Sequence, residues 1–272
     1  MFVHTLWGIL LSLAVTLPLA WKWQLGVFRV ACVVSALAVG ASVVVTQIRA
    51  VMEAGVLARS VLVSVIAVVG AAGILLYRFH RDPERTPPSD DRLIVSPADG
   101  IVIYVNASER GMLPSSNKNG RHYSLAELTK TSLRENEAVV IGISMSFLDV
   151  HVNRAPIGGQ VTFQAHFPGS FGSLRQAEMV FENERATTII ERDDVQVAVV
   201  QIASRLVRQI VSYVRAGQTV GLGQRFGVIR FGSQVDIVLP ARSDLHVAVR
   251  LGQRVRAGES ILAEFDPPKV AQ

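Results

Sequence analysis

A serine follows a glycine directly at Gly232–Ser233, and the alternating apolar run Gln234–Leu239 follows the serine. A hydroxyl in such a place becomes a nucleophile only where a base takes its proton and donors hold the oxyanion that its attack creates. The candidate bases include six histidines: His4, His80, His122, His151, His166 and His246. No two of them stand four apart around a glutamate and no His-x-His occurs, so the spacings of zinc hydrolases are absent and no metal is expected. Cys32 is the single cysteine and sits in an apolar run, where it can neither pair within the chain nor complete a zinc site. Gly-x-Ser-x-Gly is missing, which removes the common esterase elbow. The glycines Gly217, Gly221, Gly223 and Gly227 lie among strands with no helix behind them, so they read as turns and not as a nucleotide loop.

What remains is a set of unusual segments: Arg81-Asp82-Pro83-Glu84-Arg85, Ser96-Pro97-Ala98-Asp99-Gly100, His151-Val152-Asn153-Arg154-Ala155-Pro156, Glu182-Asn183-Glu184-Arg185 and Arg230-Phe231-Gly232-Ser233. Asp99 and His151 are the acid and base candidates within them. Both also have plain structural readings, because Asp-Gly is a common turn and a lone histidine is often part of a core.

The elements that carry these segments can be read from periodicity. Leu93–Val95, Ile101–Val105, Val139–Ser144, Gly159–Phe167, Thr187–Ile190, Val195–Ile202 and Gln234–Leu239 alternate or run apolar between turn residues and predict strands. Helical periodicity is weak, strongest over Leu174–Glu182. The polar stretch 106–137 reads as an inserted loop with a short helix near Ala126–Leu133. A faint echo links Val214-Arg215-Ala216-Gly217-Gln218-Thr219-Val220 with Leu251-Gly252-Gln253-Arg254-Val255-Arg256-Ala257-Gly258. Such units are familiar from flattened barrels of the lipoyl or biotinyl type. A carrier of that kind needs an exposed hairpin lysine, and beyond residue 77 only Lys118, Lys130 and Lys269 are available, none so placed.

The first 77 residues differ from the rest. Met1–Trp21, Val30–Ile48 and Ser60–Tyr77 carry no charge and are long enough to span a bilayer. Only 18% of the whole chain is charged, against roughly 25% in an ordinary soluble domain. The net charge of +5 is concentrated near the spans, since residues 78–272 hold 23 basic and 21 acidic side chains; this argues against a nucleic-acid partner. Arg78, His80, Arg81 and Arg85 after the third run place the chain beyond Tyr77 in the cytoplasm by the positive-inside rule, so it reads as a multi-pass cell-membrane protein. The expected architecture is an anchor of two to three helices (residues 1–77) followed by an α+β, mainly antiparallel β domain with barrel-sandwich character (residues 78–272).

In order and spacing the five segments resemble the short, membrane-bound form of phosphatidylserine decarboxylase, with the likeness running from about Phe79 to Leu239 outside the 106–137 loop. Decarboxylating an amino acid leaves electrons at Cα that need a sink which ordinary side chains do not supply. The resemblance implies that the chain makes one from itself: Ser233 cuts the Gly232–Ser233 bond and becomes a covalent pyruvoyl group. That group forms a Schiff base with the substrate amine. The products would be residues 1–232 and a 40-residue partner chain, 233–272.

The same resemblance implies that Asp99, His151 and Ser233 form the acid–base–nucleophile set. In the long bacterial form the histidine segment reads His-x-x-His, and here the second position is Arg154, which is free to hold a phosphate or carboxylate of the substrate. The implied reaction turns membrane phosphatidylserine into phosphatidylethanolamine and CO₂. Ser170, Ser173, Ala177 and Glu178 depart from the family pattern, so a related lipid such as archaetidylserine stays open. Arg81 and Arg85 are expected near anionic headgroups. A homo-oligomer, a non-catalytic barrel-sandwich adaptor and a Ser–Lys peptidase also stay open on the residues alone.

Overall fold

The computed structural model describes residues 2–23, 25–48, 51, 53, 55–114, 123–170, 172–174, 179–203, 209–230 and 233–267. The chain forms two compact units, Met1–Arg81 and Asp82–Gln272. The first holds helices α1 (Phe2–Lys22), α2 (Val27–Gln47) and α3 (Val56–His80), each long and apolar enough to cross a membrane. Their contacts rest on small side chains. Ala38, Ala41 and Val45 of α2 meet Val63 and Ala67 of α3. A Cβ added at Gly8 of α1 would stand 2.5 Å from Val63, so glycine is what lets these helices approach.

The second unit is mainly antiparallel β. In chain order it contains β1 (Leu93–Val95), β2 (Gly100–Ala107), β3 (Met112–Leu113), β4 (Tyr123–Ser124), α4 (Leu125–Thr129), β5 (Ala138–Met145), β6 (Val152–Arg154) and β7 (Gly159–Phe167). Next come α5 (Met179–Glu182), β8 (Arg185–Arg192), β9 (Val195–Ala203), β10 (Gln209–Ser212), β11 (Thr219–Val220), β12 (Arg225–Arg230), β13 (Ser233–Pro240), β14 (Leu245–Val247), β15 (Arg254–Val255) and β16 (Ile261–Phe265). All seven expected strands are present, two with the expected bounds and five longer by one to four residues. The expected helix over Leu174–Glu182 is helical at α5, and residues 175–178 lie outside the described residues. The other expected helix is α4. A capping box starts it, with Ser124 Oγ accepting from Glu127 N at 3.1 Å and the Glu127 carboxylate accepting from Ser124 N at 2.8 Å. Lys130 at φ 55° stops it well short of Leu133.

Among the described residues the main sheet has eight strands, ordered β11-β7-β8-β9-β13-β5-β2-β15, and two three-stranded sheets read β1-β16-β14 and β10-β12-β6. Alternation along the strands builds a core on each face. Val235, Ile237 and Leu239 of β13 enter one core with Ile94, Phe226, Ile229 and Leu262 of the smaller sheets. Val238 enters the other, which Leu125, Leu128 and Val180 of the short helices cover. The main sheet curls as a half-barrel around the first core.

The faint sequence echo is a structural duplication. Gly252 N donates to Val102 O (2.8 Å) and Val102 N to Gln253 O (2.9 Å); in the other half Gly217 N donates to Val161 O and Val161 N to Gln218 O, both at 2.7 Å. Gly258 N bonds Ser96 O and Gly223 N bonds Ala155 O, both at 2.8 Å. Pro97 O accepts from Arg154 N and Pro156 O from Val95 N, each at 3.0 Å, so the halves clasp one another reciprocally. The paired turns need a residue at positive φ, which Gly217 (91°) and Gly252 (82°) provide. β11 and β15 therefore close the two ends of the main sheet by the same device.

Candidate active site

Ser233 opens β13, where its backbone pairs with Met145 of β5 on one side and Ala203 of β9 on the other. Phe231 and Gly232, hence the carbonyl side of the expected scission, lie outside the described residues. They join β12 of a small sheet to β13 of the main one. The chain makes the reverse crossing, from β5 to β6, through residues 146–151. That crossing is pinned by Asp149, whose Oδ2 accepts from Ser146 N (2.8 Å) and Ser146 Oγ (2.7 Å). His151 ends it, almost fully buried, with its carbonyl accepting from Ile229 N at 3.1 Å. His151 thus ends the β5–β6 crossing with its backbone against β12, while Ser233 pairs with Met145 where that crossing begins.

Asp99 precedes β2, whose Ile101 pairs with Ser144 of β5, and Ser144 in turn pairs with Gln234. Two interstrand steps, about 10 Å, separate those backbones. The Asp99 carboxylate accepts from Ala257 N at 2.7 Å and from Arg85 Nη2 at 3.2 and 3.0 Å. Among the described residues it makes no hydrogen bond to His151. The duplication shows what is special here. The counterpart of Asp99 is Gly158, and a Cβ there would stand 3.3 Å from Leu222 N, the counterpart of Ala257 N. One half of the fold has put a carboxylate where the other leaves bare backbone.

Arg85 is the residue whose role the sequence concealed. It was expected near lipid headgroups, but its guanidinium is nearly buried against Asp99 and, at 2.8 Å, Glu259. Arg154, expected at the substrate, makes its hydrogen bonds within the chain. Its Nη1 donates to Gly223 O (3.1 Å) and its Nη2 to Pro83 O (2.9 Å) and Asp82 Oδ1 (3.3 Å), so its fork is turned onto the chain itself. Arg225 holds Asp82 and Glu84 in the same strap. The charges of residues 82–85 are thus absorbed by the β unit around Asp99.

The remaining segments fix strand ends. Asn153 Nδ2 donates to Pro97 O (3.3 Å) and its Oδ1 accepts from Gln201 Nε2 (2.8 Å). Asn183 Nδ2 donates to Ala203 O (2.9 Å), opposite Ser233, and to Gly172 O (3.0 Å). Buried Arg185 donates to Glu127 O (3.2 Å) and Leu128 O (2.8 Å) near the end of α4. Burial lowers its pKa to about 10.

A polar cluster next to Ser233 had one sequence signal, a carboxylate in the middle of an apolar strand. Asp236 is fully buried; Tyr104 Oη donates to its Oδ2 and Gln234 Nε2 to its Oδ1, both at 2.7 Å. The Tyr104 ring lies over Gly142, where a Cβ would stand 2.4 Å from it. Tyr104 and Gln234 also line an otherwise largely apolar pocket of about 190 Å³ with Ile103, Val140 and Phe181. Burial pushes the Asp236 carboxyl up from 3.8 to about 6, against the two hydrogen bonds.

The folded state therefore holds this proton more tightly than the unfolded chain. The resulting stability is whole below the unfolded value and is lost as pH rises through about 6. Denaturant titrations in the uncut Ser233→Ala background should show the chain with Asp236 losing up to about 3 kcal/mol over that window relative to the one with Asp236→Asn. An identical pH slope in both proteins would remove the assignment.

A family model described as phosphatidylserine decarboxylase matches residues 73–263. The chain is 43% identical over 188 residues to the phosphatidylserine decarboxylase proenzyme of Mycolicibacterium vanbaalenii, covering 69% of this chain and 72% of that protein. It is 39% identical over 194 residues to the putative archaetidylserine decarboxylase proenzyme of Methanothermobacter thermautotrophicus, covering 71% and 82%. Matches of this extent, over the part that holds Asp99, His151 and Ser233, place the chain in the phosphatidylserine decarboxylase family.

Proposed function

We propose that the chain is a self-processing phosphatidylserine decarboxylase that cuts itself between Gly232 and Ser233. The observation that supports this reading is a backbone placement: Ser233 pairs with Met145 at the start of the β5–β6 crossing, and His151 ends that crossing against Ile229. In the cut, the Ser233 hydroxyl attacks the Gly232 carbonyl carbon while His151 takes its proton. The peptide C–N bond then breaks and an ester joins the two chains. Loss of the Ser233 α-proton expels residues 1–232 as a carboxylate and leaves dehydroalanine, which water converts to the ketone with release of ammonia.

The site suits such a group. A chain that starts at residue 233 keeps its strand pairing on both sides, and its first residue stands at the sheet end, near the pocket over Tyr104 and Gln234. When present, the pyruvoyl group supplies the electron sink for loss of CO₂. Tyr104, Gln234 and Asp236 would shape the wall beside it. Asp99, held by Arg85, supplies charge at the neighbouring strand end, and Arg154 is assigned to locking the 82–85 strap and not to substrate. The charge pattern flanking α3 supports a cytoplasmic β unit. The family includes relatives named for phosphatidylserine and for archaetidylserine, so the substrate class is a serine-headed membrane phospholipid.

Intact mass measurement of purified protein tests the reading. The expected result is residues 1–232 plus a 40-residue chain, 233–272, with a blocked start. An uncut chain of 29.5 kDa that nevertheless releases CO₂ would overturn it.

A further inference from the structure

The internal duplication provides a control for every surface position, because each half shows what the other half's turn requires. Leu251 tips the Arg250–Gln253 turn and is 71% exposed. Its counterpart in the Arg215–Gln218 turn is Ala216. Both turns close in the same way, with Gln253 Oε1 accepting from Arg250 N (3.2 Å) and Gln218 Oε1 from Arg215 N (2.8 Å). The turn therefore does not need a leucine.

The same holds for its neighbours. Ile101 and Ile103 of β2 are 41% and 37% exposed, and their counterparts on β7 are Gln160 and Thr162. Arg254 and Arg256, with side chains 63% and 70% exposed, stand where the other half has Thr219 and Gly221. Ile101 pairs with Arg254, and Gly252 N bonds Val102 O, so these residues share one edge. Asp149 binds Arg254 at 2.8 Å, and Glu259 lies 3.9 Å from Arg256, while Arg250 adds a third cation. Apart from the arginine that opens both turns (Arg250 and Arg215), one end of the main sheet is apolar and basic where the equivalent end is small and polar.

We infer that this edge, Ile101, Ile103 and the Arg250–Arg256 hairpin, docks on an anionic phospholipid surface, with Leu251 entering the headgroup layer. Charge complementarity selects that occupant: apolar tips flanked by arginines suit a bilayer whose lipids carry net negative charge. The chain carries its own apolar spans, so a bilayer is always at hand. Ile101 is two residues from Asp99 and Ile103 lines the pocket beside Gln234, so docking here would present the candidate site to lipid. The inference goes beyond the proposed chemistry and does not require the self-cut.

The test uses the full chain in proteoliposomes, with Cys32→Ser to leave one label site. Leu251→Cys and, separately, Ala216→Cys carry an environment-sensitive fluorophore, and the vesicles contain anionic phosphatidylglycerol, which has no serine to decarboxylate, with lipids spin-labelled at the headgroup. Quenching should be at least about threefold stronger at 251 than at 216. It should fall when Arg250→Glu and Arg256→Glu are added, or when neutral phosphatidylcholine replaces the anionic lipid. Equal quenching at the two positions, or none at 251, overturns the inference. The band pattern of the same samples reports self-cleavage separately: an uncut chain quenched at 251 would sink the proposed chemistry and leave the surface standing.

Discussion

Ser233→Ala should yield one chain near 29.5 kDa, no shorter partner and no CO₂ release. The substitution removes the only oxygen that the proposed attack uses, and no ketone can form from alanine. The backbone cost is small, since Ser233 is held in β13 by pairing on both sides and alanine keeps those hydrogen bonds. The variant should therefore fold and reach the membrane, which makes its failure to divide informative. Mass measurement decides: a Ser233→Ala protein that still splits before residue 233 would refute the nucleophile.

The second large effect concerns His151. If it takes the serine proton, His151→Ala should slow the cut by about 10²–10⁴-fold, the usual weight of a general base. Pulse-labelled chain followed over hours would measure this. A variant that matures at the normal rate yet releases no CO₂ would move His151 out of the cut and into the later reaction. Asp99→Asn and Arg85→Ala serve as the companion pair. Because Arg85 binds both carboxylate oxygens, each change should slow the cut and the double variant should be little slower than either alone. Additive losses would show that the two act separately.

The longer strands were legible because alternation is a local signal that needs no partner. β7 was readable from Gly159 to Phe167 for this reason. The two-residue strands β11 and β15 were not. Their pairing with β7 and β2 lies in backbone hydrogen bonds formed far along the chain, which no hydropathy pattern encodes. The candidate acid, base and nucleophile were visible as residues in unusual segments, but their partners were hidden by sequence distance. Asp99 meets Ala257 N across 158 positions, and Arg85, which looked like a juxtamembrane charge, turns inward. Arg154 shows the same limit: a planar fork advertises anion binding, and its partners Asp82 and Pro83 become visible only in the three-dimensional path of residues 82–85. The echo between the two glycine turns was audible, yet its meaning emerges only once Gly158 and Asp99 are seen as counterparts.

The place of β13 inside the main sheet has a consequence for the lifetime of the enzyme. Residues 233–272 contribute an interior strand and an edge strand to the eight-stranded sheet, and two of the three strands of a smaller one. A precursor that unfolds can refold as a single chain. After the proposed cut, the same event would separate two molecules, and recovery would become a second-order encounter that dilution and membrane sorting oppose. The joining peptide bond could not be rebuilt, since the proposed chemistry removes the amine from the new chain start. Unfolding of the mature protein would then be a one-way loss, and its endurance would be governed by the height of the unfolding barrier. Both flanks of β13 must let go before the short chain can leave, so selection for a durable catalyst should act on the β5–β13–β9 pairings.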